Sequence, residues 1–478
     1  MALAALIVLA ALLRFATLDF QSLGYDEAYT VGLVLPGSLA HVFSALPKTE
    51  SSPPLHYLLA WVWTRPFGVD EVGVRSFSAL AGTALVPVVY AAARELASAR
   101  AGLVAAALVA VNPFLFWYSQ EARPYSLLTL LGALSFWAFA AALREPSRRR
   151  LALWALASAL AVWTHYFAIF LVAAEALWLV WASTQRVRVA LAAAAVALAG
   201  VAVLPLALDQ ADGRTDWITS QSLAARTRGV VSKFLLGEVD PVSNWVLVLV
   251  AAAAAGVALW CLLRARGGER SALAVPAGVG AGAIALPLAL EATGLHYLVA
   301  KNVIAALPVI AVAAGLALTV RGAGRAGPLA AAALCTFSLA LVIAGAVDPR
   351  LQRPNYRGAA EELAPVAPGQ VVVTPFHGSV PLEYYLPGAA AGSAPATRLT
   401  LVQPLRRHDA GGPARGPAPP PPPGFRPAGR VERDSYTLTS WRASAPVQIT
   451  PAMALPLAPD RPGREPFILS WPNGTNGR

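Results

Sequence analysis

Two adjacent carboxylates, Asp26 and Glu27 in the stretch SLGYDEAYT, follow the first strongly apolar run of the chain. A carboxylate beside a bilayer is costly unless it lies in a wet, polar site. The pair is therefore either an ordinary solvated loop or the working end of something. Further polar clusters follow: SPPLHY with His56, WYSQEARPY with Tyr118, Gln120, Glu121, Arg123 and Tyr125, WTHYF with His165, and EATGLHYLVAKN with Glu291, His296, Tyr297 and Lys301. Carboxylates can act as a general base or hold a hard cation. Sequence-isolated cations such as Arg123 and Lys301 suit a lipid phosphate, and aromatic rings with polar tips suit a sugar or an isoprenoid. Each residue also has a plain structural reading. Arg123 and Lys301 could be interfacial anchors, and His56, His165 and His296 could be hydrogen-bonded structural histidines. Glu175, inside the apolar run VAAEALW, is a functional candidate by its position alone.

The elements that would position these residues are membrane helices. The chain has 478 residues, is 57% hydrophobic and only 13% charged, with a mean hydropathy of +0.57. Soluble proteins carry about 25% charged residues. The net charge of +11 does not point to nucleic acid, because the arginines punctuate the gaps between apolar runs and are not massed into a stripe. Three of the basic residues are lysine, namely Lys48, Lys233 and Lys301. The Ala-, Arg-, Gly- and Pro-rich composition suggests a high-GC bacterial genome. Cys261 and Cys335 lie in apolar runs and imply no disulfide framework. The first residues lack a basic leader and a convincing cleavage site, and read as a retained first span.

A crossing helix needs about 20 apolar residues. The runs give about eleven candidates, near 1–18, 74–93, 101–118, 124–143, 151–165, 166–184, 188–207, 242–263, 271–291, 300–320 and 327–346. Alternate connections carry Arg94, Arg100, Arg144, Arg148, Arg149, Arg150, Arg186, Arg188, Arg264, Arg266, Arg270, Arg321 and Arg325. The intervening short connections carry Arg123. Positive-inside counting then makes the N-terminus cytoplasmic and sends the polar clusters to the outer face. A shared cavity is the economical explanation, since polar groups at membrane depth line water or one another.

The first outer loop, 19–73, is expected to hold interfacial helices at 38–46, with Ser38 as N-cap, and from 53 onward; a third is expected near 221–236. GxGxG at 277–283 reads as close helix packing through small residues. A transmembrane part over 1–346 would be followed by a small extracytoplasmic α+β domain over 347–445. A helix is expected at 356–365 and strands at 371–375, 382–386, 397–403 and 435–443. The polyproline stretch 416–424 reads as a loop and 446–478 as a Pro-rich disordered tail.

Taken in order, SLGYDEAYT, SSPPLHYLLAWVW with FGVDEVGVRSFSALAG, and NPFLFWYSQEARPYSLLTLL resemble the GT-C glycosyltransferases of the family 39-like group, the protein mannosyltransferases and lipid A aminoarabinose transferases, of actinobacterial type. The likeness covers residues 1–345 and is closest over 14–130. It implies a GT-C polytopic fold and an inverting transfer of a mannose- or arabinose-like sugar, on the outer face of a bacterial plasma membrane, from a polyprenyl-phosphate donor to a protein, glycan or glycolipid acceptor. It also implies Asp26 as general base, Glu27 as second acid, and Arg123 with Glu121 and Tyr125 beside the donor phosphate. Lys301 stands where a basic residue near that phosphate is common, with Tyr297 as its neighbour. His56, Tyr118, Gln120, His165 and His296 are expected to line the cavity. A divalent cation is a candidate cofactor, with Glu27, Glu121 and His165 as candidate ligands. Gly24 stands where Trp is usual, Ser52 precedes PPL where His is common, and Lys301–Asn302 replaces a more familiar Arg. The rival readings are a transporter or flippase of lipid-linked sugars and a non-catalytic scaffold that binds cell-wall polymer.

Overall fold

The computed structural model describes residues 1–211, 216–238, 244–404, 417–458 and 465–472. The chain divides into two compact units. One comprises Met1–Leu18 and Gly37–Ala344, the other Asp19–Pro36 and Gly345–Arg478.

The first unit is helical, and each apolar run of the sequence coincides with a helix. Glu71–Leu96, Tyr125–Arg144, Trp245–Arg264, Gly268–Thr293 and Ala326–Val347 are long and apolar enough to cross a membrane. Ala99–Val111 and Pro113–Ser119 form a sixth, bent by 59°. The bend has an identifiable cause. Asn112 accepts hydrogen bonds from the amides of Phe114 and Leu115, and Pro113 takes the first helical position, where its missing N–H costs nothing. The carbonyls exposed at the end of the preceding helix are met by a cation from the first helix, Ala2–Phe15. The buried Arg14 guanidinium donates to Val109 O at 3.1 Å and Ala110 O at 2.9 Å, so a positive group sits at the negative end of a helix.

Gly278 packs so closely on Trp178 that a Cβ would lie 2.2 Å from the indole, and Gly280 and Gly282 lie against Ile310 and Ala174. The GxGxG run is thus a packing surface. Glu175 joins three helices: its Oε2 accepts from Ser135 Oγ at 2.5 Å and Trp154 Nε1 at 2.8 Å, and Ser135 also bonds Ser158. These partners give this buried acid a structural explanation. The loop helices form as expected, Leu39–Thr49 capped by Ser38, Leu55–Phe67, and Leu223–Leu236 capped by Ser222.

The second unit is a mixed sheet with helices. Its strands are β1 (Gln370–Thr374), β2 (Ala390–Ala391), β3 (Ala394–Pro404), β4 (Arg426–Glu432), β5 (Tyr436–Ile449) and β6 (Phe467–Ser470), in the order β2-β6-β1-β3-β5-β4. β1 pairs parallel with β3 and the other pairings are antiparallel. Two expectations are corrected. LEYYL (382–386) belongs to a helix, Ser379–Tyr385, because a short apolar run does not by itself separate strand from helix. The segment after 445 is not a disordered tail over its described residues. β5 continues to Ile449, and β6 inserts between β1 and β2, with Ile468 and Leu469 buried. Of the polyproline stretch, residue 416 lies outside the described residues, and 417–422 carries no helix or strand.

Candidate active site

In the first unit, turns far apart in sequence meet around one group of side chains. Arg123 follows the bent helix. Its Nη1 lies 2.6 Å from Glu50 Oε2, and Tyr57 donates to the same oxygen at 2.8 Å. Both members of the ion pair are buried, with side-chain exposures of 10% and 1%. Glu50 was not among the candidates that the sequence offered. It stands before SSPPLHY, and the long-range pairing gives no local signal.

Aromatic rings extend from Arg123's neighbours to the last polar turn. Tyr118 and Tyr125 are 4.5 Å apart between centroids, Tyr125 and His165 5.5 Å, His165 and Phe167 5.4 Å, and Phe167 and Tyr297 5.1 Å. His165 occupies the break between Arg148–Thr164 and Ala168–Ala182. Burial, and then the positive charges of Lys301 and Arg123, push its imidazole down to about 3. Both candidate phosphate cations therefore act on one buried neutral ring. His56 is held down at about 3 by burial and then by Arg123, against a weaker opposing interaction with the Ala122 backbone. The Lys301 ammonium lies 4.7 Å from the Trp217 ring centre, a cation–π contact.

The other candidates serve as supports. Gln120 Nε2 donates to Arg14 O at 3.1 Å and Thr17 Oγ1 at 2.5 Å. Tyr118 donates to Glu238 at 3.0 Å, and Lys233 pairs with the same carboxylate at 2.7 Å. Glu121 is buried next to this group, and its charge is felt at Tyr118. His296 bonds Glu291 at 2.7 Å, and Glu291 takes a two-pronged contact from Arg226 at 2.6 and 2.8 Å. Arg226, Glu238 and Trp217 all come from the 208–241 loop, whose charges the sequence gave no reason to single out.

Asp26 and Glu27 lie in the second unit, on the short helix Tyr25–Tyr29. Asp26 is exposed and Glu27 buried. Glu27 occupies the third helical position and accepts the Gly24 amide at 2.9 Å, as an acid there does in a capping box. Arg353 Nε lies 3.9 Å from the same oxygen. A Cβ on Gly24 would meet Arg353 Cδ at 3.3 Å, so the stem of Arg353 fills the space that a larger residue at 24 would need.

Glu27, Glu121 and His165 are the candidate ligands of a divalent cation. Among the described residues no three His, Cys, Asp or Glu side chains come close enough to hold one. Glu27 is engaged by Gly24 and Arg353, and His165 already lies under two positive charges.

Residues 51–207 match the family of dolichyl-phosphate-mannose-protein mannosyltransferases. No curated protein sequence matches the chain significantly. Two crystal structures of ArnT from Cupriavidus metallidurans share its fold. The structure bound to undecaprenyl phosphate superposes with a TM-score of 0.52 and the apo structure with 0.53. Each is 14% identical and covers 91% of this chain and 97% of its own. The protein is a multipass membrane protein of that architecture, with a small C-terminal sheet domain.

Proposed function

We propose that the chain is a GT-C glycosyltransferase and that it transfers a sugar from a polyprenyl-phosphate donor to an acceptor hydroxyl with inversion at the anomeric carbon. The observation that carries this reading is the row of aromatic rings from Tyr118 through Tyr125, His165 and Phe167 to Tyr297, with Arg123 and Lys301 in the two turns that supply its ends. Two cations beside apolar and aromatic walls suit a phosphate that carries an isoprenoid on one side and a sugar on the other. The segment match to mannosyltransferases and the fold shared with a structure that holds undecaprenyl phosphate support it.

In this mechanism Asp26 accepts the proton of the acceptor hydroxyl. The acceptor oxygen attacks the anomeric carbon. The bond from that carbon to the phosphate oxygen breaks, and its electron pair leaves on the polyprenyl phosphate. General-base assistance contributes about 10²–10⁴-fold. Arg123 and Lys301 stabilise the charge that develops on the leaving phosphate. Tyr125 and Tyr297 flank it, and His165, neutral at physiological pH, packs between the rings without adding a third charge. A single inverting displacement needs no enzyme nucleophile. The transferred residue is a mannose-like hexose or an arabinose-like pentose, the acceptor is a protein, glycan or glycolipid, and the reaction faces away from the cytoplasm.

The test supplies the purified protein with defined polyprenyl-phosphate sugars and follows donor consumption. Asp26→Asn is expected to abolish consumption while leaving donor binding intact. Near wild-type turnover in that variant would remove Asp26 as base. Binding of the donor with no consumption by the wild-type protein, together with its movement across a vesicle bilayer, would favour a transporter.

A further inference from the structure

We infer that the chain beyond residue 345 is the mount of the acidic motif, and that Arg353 is a positioning residue that acts through Glu27 on Asp26. This rests on the reading of Asp26 as the general base.

Residues 19–36 stand before the second long helix in sequence, yet they form one compact unit with 345–478. The join is made at almost every residue from 19 to 27. Arg357 donates to Asp19 O at 2.7 Å, and the Arg353 amide donates to Gln21 Oε1 at 3.1 Å. Ser22 donates to Pro354 O at 2.9 Å and accepts the Tyr356 amide at 3.0 Å. The Leu23 amide donates to the Tyr385 hydroxyl at 2.8 Å. Tyr25 packs on His377, with ring centres 4.7 Å apart, and on Phe376 at 5.8 Å.

Tyr25–Tyr29 runs on into the π-helical turn Thr30–Val34, and the whole is still shorter than the roughly 12–15 residues at which a helix becomes stable in water on its own. Its geometry is therefore supplied from outside. Glu27 links that support to the helix start. One of its oxygens holds the Gly24 amide and faces Arg353, whose side chain is 9% exposed against 1% for that of Glu27. A carboxylate this buried needs its cation. With Arg353 in place the first turn is fixed, and Asp26, one residue before Glu27, presents its carboxylate in one direction. Misplacement of a reacting group by about 1 Å can cost on the order of 10²-fold in rate.

The experiment measures donor consumption by the full-length protein in detergent, with kcat and donor KM separated. Arg353→Ala is expected to lower kcat roughly 10–100-fold with donor KM unchanged. Glu27→Gln should give the same loss, and the double variant no further loss, because the two residues act as one unit. Arg353→Lys, which restores a cation, should recover part of kcat. Tyr385→Phe, which removes a single hydroxyl, gives a milder loss in kcat and tests the mount should Arg353→Ala not be recovered folded. Wild-type kcat in Arg353→Ala and Tyr385→Phe, a loss confined to KM, or additive losses with Glu27→Gln would overturn the inference. If Asp26→Asn is inactive while Arg353→Ala is normal, the positioning role fails alone. If Asp26→Asn is active, the base assignment beneath it fails.

Discussion

At the scale of the residue, the ion pair of Arg123 with Glu50 alters what a substitution at either position means. Removing one member leaves the other charged and buried, a change that costs about 3–5 kcal/mol where such pairs have been broken. Arg123→Gln and Glu50→Gln are both expected to lower thermal stability and raise donor KM. The double variant should recover stability relative to either single change without regaining affinity. Recovery of affinity in the double variant would show that Arg123 is a structural cation. The two low imidazoles make a second prediction. His56 and His165 have folded values of about 3, against about 6.5 in an unfolded chain. Between those limits the unfolded state binds more protons, so stability falls as pH drops from about 6.5 towards 3. His165→Gln should flatten that slope in thermal melts recorded across the range. Asp26, Arg123 and Lys301 could be singled out in the sequence because each is an unusual charge at the end of an apolar run. Their partners could not, since Glu50 lies 73 positions from Arg123 and no periodicity joins them.

At the scale of the element, the helix Leu223–Leu236 is tied to the turn at 291–296 by Arg226. The pair is 4% and 10% exposed. Arg226 reaches Glu291 through both terminal guanidinium nitrogens, at 2.6 and 2.8 Å. Arg226→Ala is expected to release this helix, read as faster amide exchange over 223–236, while exchange in Tyr125–Arg144 stays unchanged. Equal acceleration in both would mean that the tether is not local. The membrane helices are readable because their apolar runs are long, and the first loop helix because Ser38 caps an amphipathic stretch. The sheet was harder. LEYYL folds as a helix between β1 and β2, and FILS, four residues in a Pro-rich context, becomes a strand beside β1. Pairing with β1 and β2 decided the second outcome, and a sequence window does not contain those partners.

At the scale of the whole molecule, the boundary between the two units does not follow the order of the chain. Segments that share buried contacts tend to open together as one cooperative unit. Residues 19–36 are therefore expected to gain and lose amide protection in step with 345–404 and 417–458, and out of step with 37–73. A common profile for 19–73 would refute this. From the sequence alone 19–73 reads as one loop of the membrane part, because nothing in SLGYDEAYT names Arg353, Tyr356 or Tyr385 as its partners.

The same arrangement governs when a newly made molecule can become competent. The acidic motif emerges early in synthesis, and about 300 residues separate it from the beginning of the segment that holds it. At ordinary elongation rates the ribosome needs roughly 15–60 s to cover that distance. Throughout that interval the donor-side helices can assemble while Asp26 stays without its support. On the proposed function, a chain interrupted before residue 345 would bind a lipid phosphate without consuming it, so activity would begin only once the last quarter of the protein has been made.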